Sequence, residues 1–129
     1  MPVEIQMLAW GILLGVAQLF LAAALMTRQR GLAWNASARD GDPPPLTGVA
    51  ARADRAFRNF LETFPFFAAA AVAVVATGSG DAGTAWGAQL WFWARVLYVP
   101  LYLAGIPYVR SLVWGVALVG MLLVVLGLF

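Results

Sequence analysis

The stretch Arg52-Ala-Asp-Arg-Ala-Phe-Arg-Asn-Phe-Leu-Glu62 concentrates most of what this sequence offers for chemistry. On a helix, positions three, four and seven apart share a face. Arg55, Asn59 and Glu62 therefore form one polar stripe, flanked by Arg52 and Arg58. Arg95, Tyr98 and Tyr102, again three and four apart, form a second. Arginine forks bind carboxylates bidentately, and a carboxylate such as Glu62 can hold an ammonium group. A pocket built from the two stripes suits an anionic ligand that also carries an amine. Glutathione has that chemistry, with two carboxylates, one amine and one thiol. A cation beside its sulfur favours the thiolate and lowers the thiol pKa. Such chemistry needs no protein nucleophile, which agrees with a chain that contains no Cys and no His. The same absences exclude disulfides, the usual zinc sites and the commonest general base, and no metal site is expected.

Both stripes need helices, and composition says where those helices sit. Hydrophobic residues make up 63% of the 129 residues and charged residues 11%, against about 25% charge in a soluble domain. That deficit leaves too little polarity for a water-facing surface. The apolar runs are continuous rather than alternating, so spanning helices are expected instead of a barrel. The expected fold is all-α: a single domain over 1–129, an integral membrane four-helix bundle with up-down connections. Its helices are placed at about 3–27, 49–78, 84–105 and 107–129, the second with a polar first third. Asp40-Gly-Asp-Pro-Pro-Pro45 breaks the first connection. Gly78-Ser-Gly-Asp-Ala-Gly83 makes a short turn, and Gly105-Ile-Pro107 a tighter one. Gly11 and Gly15 form a small-xxx-small pattern that lets helix backbones approach in lipid, although glycine is also simply frequent in membrane helices. With a formal net charge of +2, the chain lacks the broad basic face that nucleic-acid binding requires.

Arg28, Arg30, Arg39, Arg52, Arg55 and Arg58 surround the first connection, and Arg110 lies by the third. Neither terminus nor the second connection carries Lys or Arg. The positive-inside rule then puts both termini on the non-cytoplasmic side. Glu4 near the start, with the arginines following the apolar run, argues against a cleaved signal peptide. Counting helical rise from the outer ends, Glu62 lies roughly 24 Å down, Tyr98 roughly 21 Å and Arg95 roughly 16 Å. The two stripes are nearly level, so Glu62 and Arg95 are expected in one polar network near the cytoplasmic side. Two plainer readings stand beside this one. Glu62 could pair with Arg58 one turn away, and Tyr102 and Tyr108 could belong to an interfacial aromatic belt.

Arg55-Ala56-x-x-Asn59-x-x-Glu62-x-x-Pro65 resembles the helix-two signature of the MAPEG family, the membrane-associated proteins in eicosanoid and glutathione metabolism. Ala94-Arg95-Val96-x-Tyr98-x-x-x-Tyr102 and Arg110-Ser111 are also similar, and the resemblance covers nearly the whole chain. It implies a homotrimer with glutathione, as co-substrate, bound between subunits near the cytoplasmic side. By position it implies glutathione contacts from Arg55, Asn59 and Glu62, with Arg58 beside them, and from Arg95, Tyr98, Tyr102, Arg110 and Ser111. A thiolate-activating arginine falls at Arg30, with Arg28 the other candidate, and Tyr98 is a further candidate catalytic group. The short form resembles bacterial members, which implies the bacterial inner membrane.

Three functions follow as expectations. The first is a glutathione-dependent transferase or peroxidase acting on lipophilic electrophiles dissolved in membrane lipid. The second is a non-catalytic lipophile- or glutathione-binding membrane protein of the same fold. The third is a small multidrug-type transporter, against which stands the arginine-rich, off-centre setting of Glu62. Because the chain has no native Cys, cysteines introduced singly at positions 42 and 81 test the orientation. An impermeant maleimide applied from outside should label position 81 and spare position 42; the converse pattern would reverse the orientation.

Overall fold

The computed structural model describes all 129 residues and is entirely helical. It contains α1 (Val3–Arg30), α2 (Leu32–Ala36), α3 (Gly48–Ala76), α4 (Ala82–Leu103) and α5 (Val109–Leu126). By length and composition α1, α3 and α5 are apolar enough to cross a membrane. The 22 residues of α4 would reach about 33 Å, but Gln89, Arg95 and small residues dilute its apolarity, and it is not among those three.

Helix ends follow local chemistry. Glu4 sits in the first turn of α1, and Arg28 and Arg30 in its last, each with the sign that the helix dipole favours. This basic last turn carries α1 three residues beyond the expected end at 27. It stops at Gly31, whose φ of 92° is open to glycine. α2, absent from the sequence expectation, follows directly. α4 opens with a capping box between Asp81 and Thr84, which satisfies two otherwise orphaned amides. α3 continues through Pro65 and α4 through Pro100. The last connection runs to Tyr108, so α5 begins at Val109 rather than at 107.

Contacts at the helix ends set α3 antiparallel to α1 and to α4. Thr84 Oγ1 donates to Glu4 Oε1 at 2.5 Å, joining the starts of α1 and α4. At the other end Gln29 exchanges two hydrogen bonds with the Thr47 backbone. There too, Arg52 Nε donates to the Leu103 carbonyl at 2.9 Å. The arginines therefore gather at one end, and Glu4 and Asp81 at the other.

The core is aromatic and small. Phe67 stacks on Trp91 with centroids 3.9 Å apart, and Phe60 and Phe64 pack beside them. Gly11 and Gly15 accommodate these rings. A Cβ on Gly11 would lie 3.0 Å from Trp91, and one on Gly15 would lie 2.9 Å from Phe60. Their small-xxx-small pattern thus serves ring packing inside the protomer. The closest backbone approach is instead between α4 and α5, where a Cβ on Gly87 would lie 2.6 Å from the Gly120 carbonyl oxygen. Only 24 of the 129 residues are buried, so most of the apolar surface faces outward and needs lipid or another protein to cover it.

Gly87→Ala should destabilise the protein by about 1–3 kcal/mol through overpacking against backbone that cannot yield. Gly115 has no heavy atom within 4 Å of its Cβ position, and Gly115→Ala should be neutral or slightly stabilising. Thermal aggregation midpoints in detergent separate the two, and equal losses would remove the α4–α5 contact as the cause.

Candidate functional site

At the arginine end, α3, α4 and α5 surround a cavity of about 450 Å³. Arg55, Arg58, Asn59 and Glu62 of α3 line it, with Tyr98 and Tyr102 of α4 and Arg110, Ser111 and Trp114 of α5. Three guanidiniums and one carboxylate thus face one space large enough for a small peptide. The helical spacing places them: Arg55, Asn59 and Glu62 share a face of α3, and Tyr98 and Tyr102 a face of α4.

Tyr102 organises the mouth. Arg55 Nε donates to its hydroxyl at 3.2 Å, and the Arg110 guanidinium lies 4.4 Å from its ring centroid. Cation–π attraction lets one phenol hold two like charges near each other, which raises the local affinity for anions. Tyr98 meets Tyr102 edge to face at 5.6 Å, and the Arg95 guanidinium lies 4.5 Å from the Tyr98 centroid. Arg58 forms an exposed i,i+4 ion pair with Asp54 at 3.1 Å, worth about 0–1 kcal/mol. Arg58 therefore pairs with Asp54 rather than Glu62, weakly enough that a ligand carboxylate can replace Asp54. Glu62 is left with no cation within 4.0 Å, and its carboxylate is free to receive an ammonium group.

Three of the sequence-derived positions lie elsewhere. Arg95 is 1% exposed and sits behind the cavity wall, where Nη1 donates to Asn59 Oδ1 at 2.9 Å. Its partner is Asn59, not Glu62, so the expected Glu62–Arg95 network is replaced by an Arg95–Asn59 one. Arg30 turns toward the first connection. Its Nε donates to the Pro44 carbonyl at 3.1 Å, and its guanidinium lies 5.0 Å from the Trp34 centroid. Arg28 is exposed, and neither it nor Arg30 lines the cavity of its own protomer.

Trp114 was missed, although its signal was present: it follows Arg110 by four residues and Ser111 by three, and so shares their face. Glu4 and Gln18, each 5% exposed, were also not anticipated as buried polar groups. Both lie within an apolar run whose periodicity marks no buried face.

The model of the MAPEG family matches residues 7–129, and the chain belongs to that family. Neither the curated proteins nor the solved structures yield a match.

The Arg95–Asn59 bond predicts strong coupling. In a cycle of Arg95→Leu and Asn59→Leu, the interaction energy should be about 1–3 kcal/mol, because Asn59→Leu removes the one hydrogen bond of a buried guanidinium. The Glu62→Gln, Arg95→Leu cycle should be additive within about 0.5 kcal/mol. Chemical denaturation in mixed micelles reads both, and the reverse ranking would restore Glu62 as the partner of Arg95.

Proposed function

We propose that this protein is a membrane-bound, glutathione-dependent transferase or peroxidase acting on lipophilic electrophiles. It works as a homotrimer of four-span protomers in the bacterial inner membrane, with both termini outside. The observation that carries the reading is the charge content of the 450 Å³ cavity: three guanidiniums, one unpaired carboxylate and two phenols. That donor set complements two carboxylates, one ammonium group and one thiol. Family membership supports the same ligand class.

Arg55 and Arg58 hold the carboxylates, and Glu62 holds the ammonium group. Arg110, with Tyr98 and Tyr102 beside it, faces the sulfur, stabilises its negative charge and releases the thiol proton to water. Glutathione supplies the nucleophile. The new carbon–sulfur bond forms as the electrophile's leaving group departs with its electron pair. The outward apolar surface concentrates the lipophilic substrate next to the cavity, so proximity contributes much of the rate. Arg28 and Arg30 reach this chemistry only from a neighbouring subunit.

Glutathione-dependent consumption of a chromogenic haloarene, together with the ultraviolet absorbance of bound thiolate, tests this reading. Arg110→Ala should lower turnover by about 10²–10³-fold and abolish the thiolate band while glutathione still binds. If Arg30→Ala has that effect and Arg110→Ala does not, activation comes from the neighbouring subunit. If glutathione binds but stays a thiol, and no electrophile from a broad panel is consumed, the protein is a binding protein of the same fold.

A further inference from the structure

Arg95 presents a problem that the large cavity does not solve. The residue is 1% exposed, and among its nitrogens Nε and Nη2 are buried without any hydrogen-bond partner. Nη1 alone is satisfied, by a neutral amide oxygen. No carboxylate lies within 4.0 Å, since Arg58–Asp54 is the one ion pair in the protomer. The rings of Tyr98 and Phe60, with centroids 4.5 and 5.6 Å from the guanidinium carbon, return about 0.5–2 kcal/mol each. An unpaired charge withdrawn from water costs several kcal/mol. Both the charge and two of its donor nitrogens therefore call for a partner that the chain itself lacks.

Arg95 also lines a second, much smaller cavity of about 10 Å³, walled by Trp91, Trp114, Ala117 and Met121 with Thr63 at one side. Arg95 is the only charged side chain on it. Trp114 separates it from the large cavity, as the one residue common to both. Its size is that of a single water-sized sphere. No peptide, carboxylate or phosphate can enter such a space. A water molecule would satisfy N–H groups but leave the charge. A monatomic anion satisfies both, for a small expansion of apolar walls.

We propose that this cavity is a halide site, in which chloride accepts from Nε–H and Nη2–H of Arg95 and neutralises the buried guanidinium. The site is separate from the glutathione reading and stands or falls without it. Chloride binds the folded protein only, because the unfolded chain has no such enclosure, so it stabilises the fold in proportion to its occupancy. It also leaves the cationic character of the large cavity to Arg55, Arg58 and Arg110 alone.

The test uses the purified protein without glutathione. Thermal midpoints are measured at constant ionic strength while gluconate, too large for the cavity, is exchanged for chloride or bromide. The expected result is a saturable rise in midpoint with either halide, lost in Ala117→Val, which fills the cavity and leaves every arginine in place. Arg95→Leu should lose the same dependence. A structure determined in bromide should show an anomalous peak within hydrogen-bond distance of Arg95 Nε and Nη2. Three results overturn the proposal: a halide response that survives in Ala117→Val, bromide peaks confined to Arg55 and Arg110, or density at Arg95 with no anomalous signal, which would make the occupant water.

Discussion

A guanidinium taken out of water loses hydration that an apolar surrounding cannot replace, and Arg95 is taken out almost completely. Its one hydrogen bond fixes the Asn59 amide. Asn59 in turn stands one turn from both Arg55 and Glu62 on α3, so the bond sets the register of α3 against α4. The aromatic rings around it complete the restraint: Tyr98 covers the guanidinium, and Tyr98 meets Tyr102, which orders Arg55 and Arg110. Arg55 and Arg110 are thus connected, through Tyr102 and Tyr98, to a single buried cation.

The rest of the molecule is arranged so that this polar end can exist in an apolar chain. Four long helices pack through rings and glycines rather than through a large buried core, with Phe67 stacked on Trp91 and Gly87 close against Gly120. Outward-facing residues such as Trp10, Phe20, Trp86 and Trp93 are more than half exposed, which suits a lipid or subunit surface and not water. At the far end, Glu4 and Thr84 tie α1 to α4 and the arginine end is left as the only strongly cationic region. That separation of charge along the helices makes the arginine end the one suited to a ligand carrying negative charge.

Much of this was legible in the sequence, because membrane helices declare themselves through long apolar runs and polar residues within them stand out. Arg55, Asn59, Glu62, Tyr98 and Tyr102 could be assigned to common faces from spacing alone, and the structure brings their faces together around one cavity. Partner choice was not legible. Spacing made Glu62 a match for either Arg58 or Arg95, and only three-dimensional packing assigned Arg58 to Asp54 and Arg95 to Asn59. Gly11 and Gly15 looked like a helix-contact motif, whereas the contact that forbids a side chain is at Gly87 and Gly120, which no single-helix pattern reveals. The extension of α1 to Arg30 also mattered. It presents Arg30 to the Pro44 carbonyl and Trp34, away from the cavity of the same protomer.

A set of charges held by packing should bind glutathione as a charged molecule, before any question of catalysis arises. Equilibrium dialysis of the purified protein in mild detergent against labelled glutathione measures this directly. Saturable binding is predicted, weakening as ionic strength rises, and lost in both Arg55→Ala and Glu62→Gln. Absence of saturable binding up to millimolar glutathione, or binding indifferent to salt and to both substitutions, would contradict it.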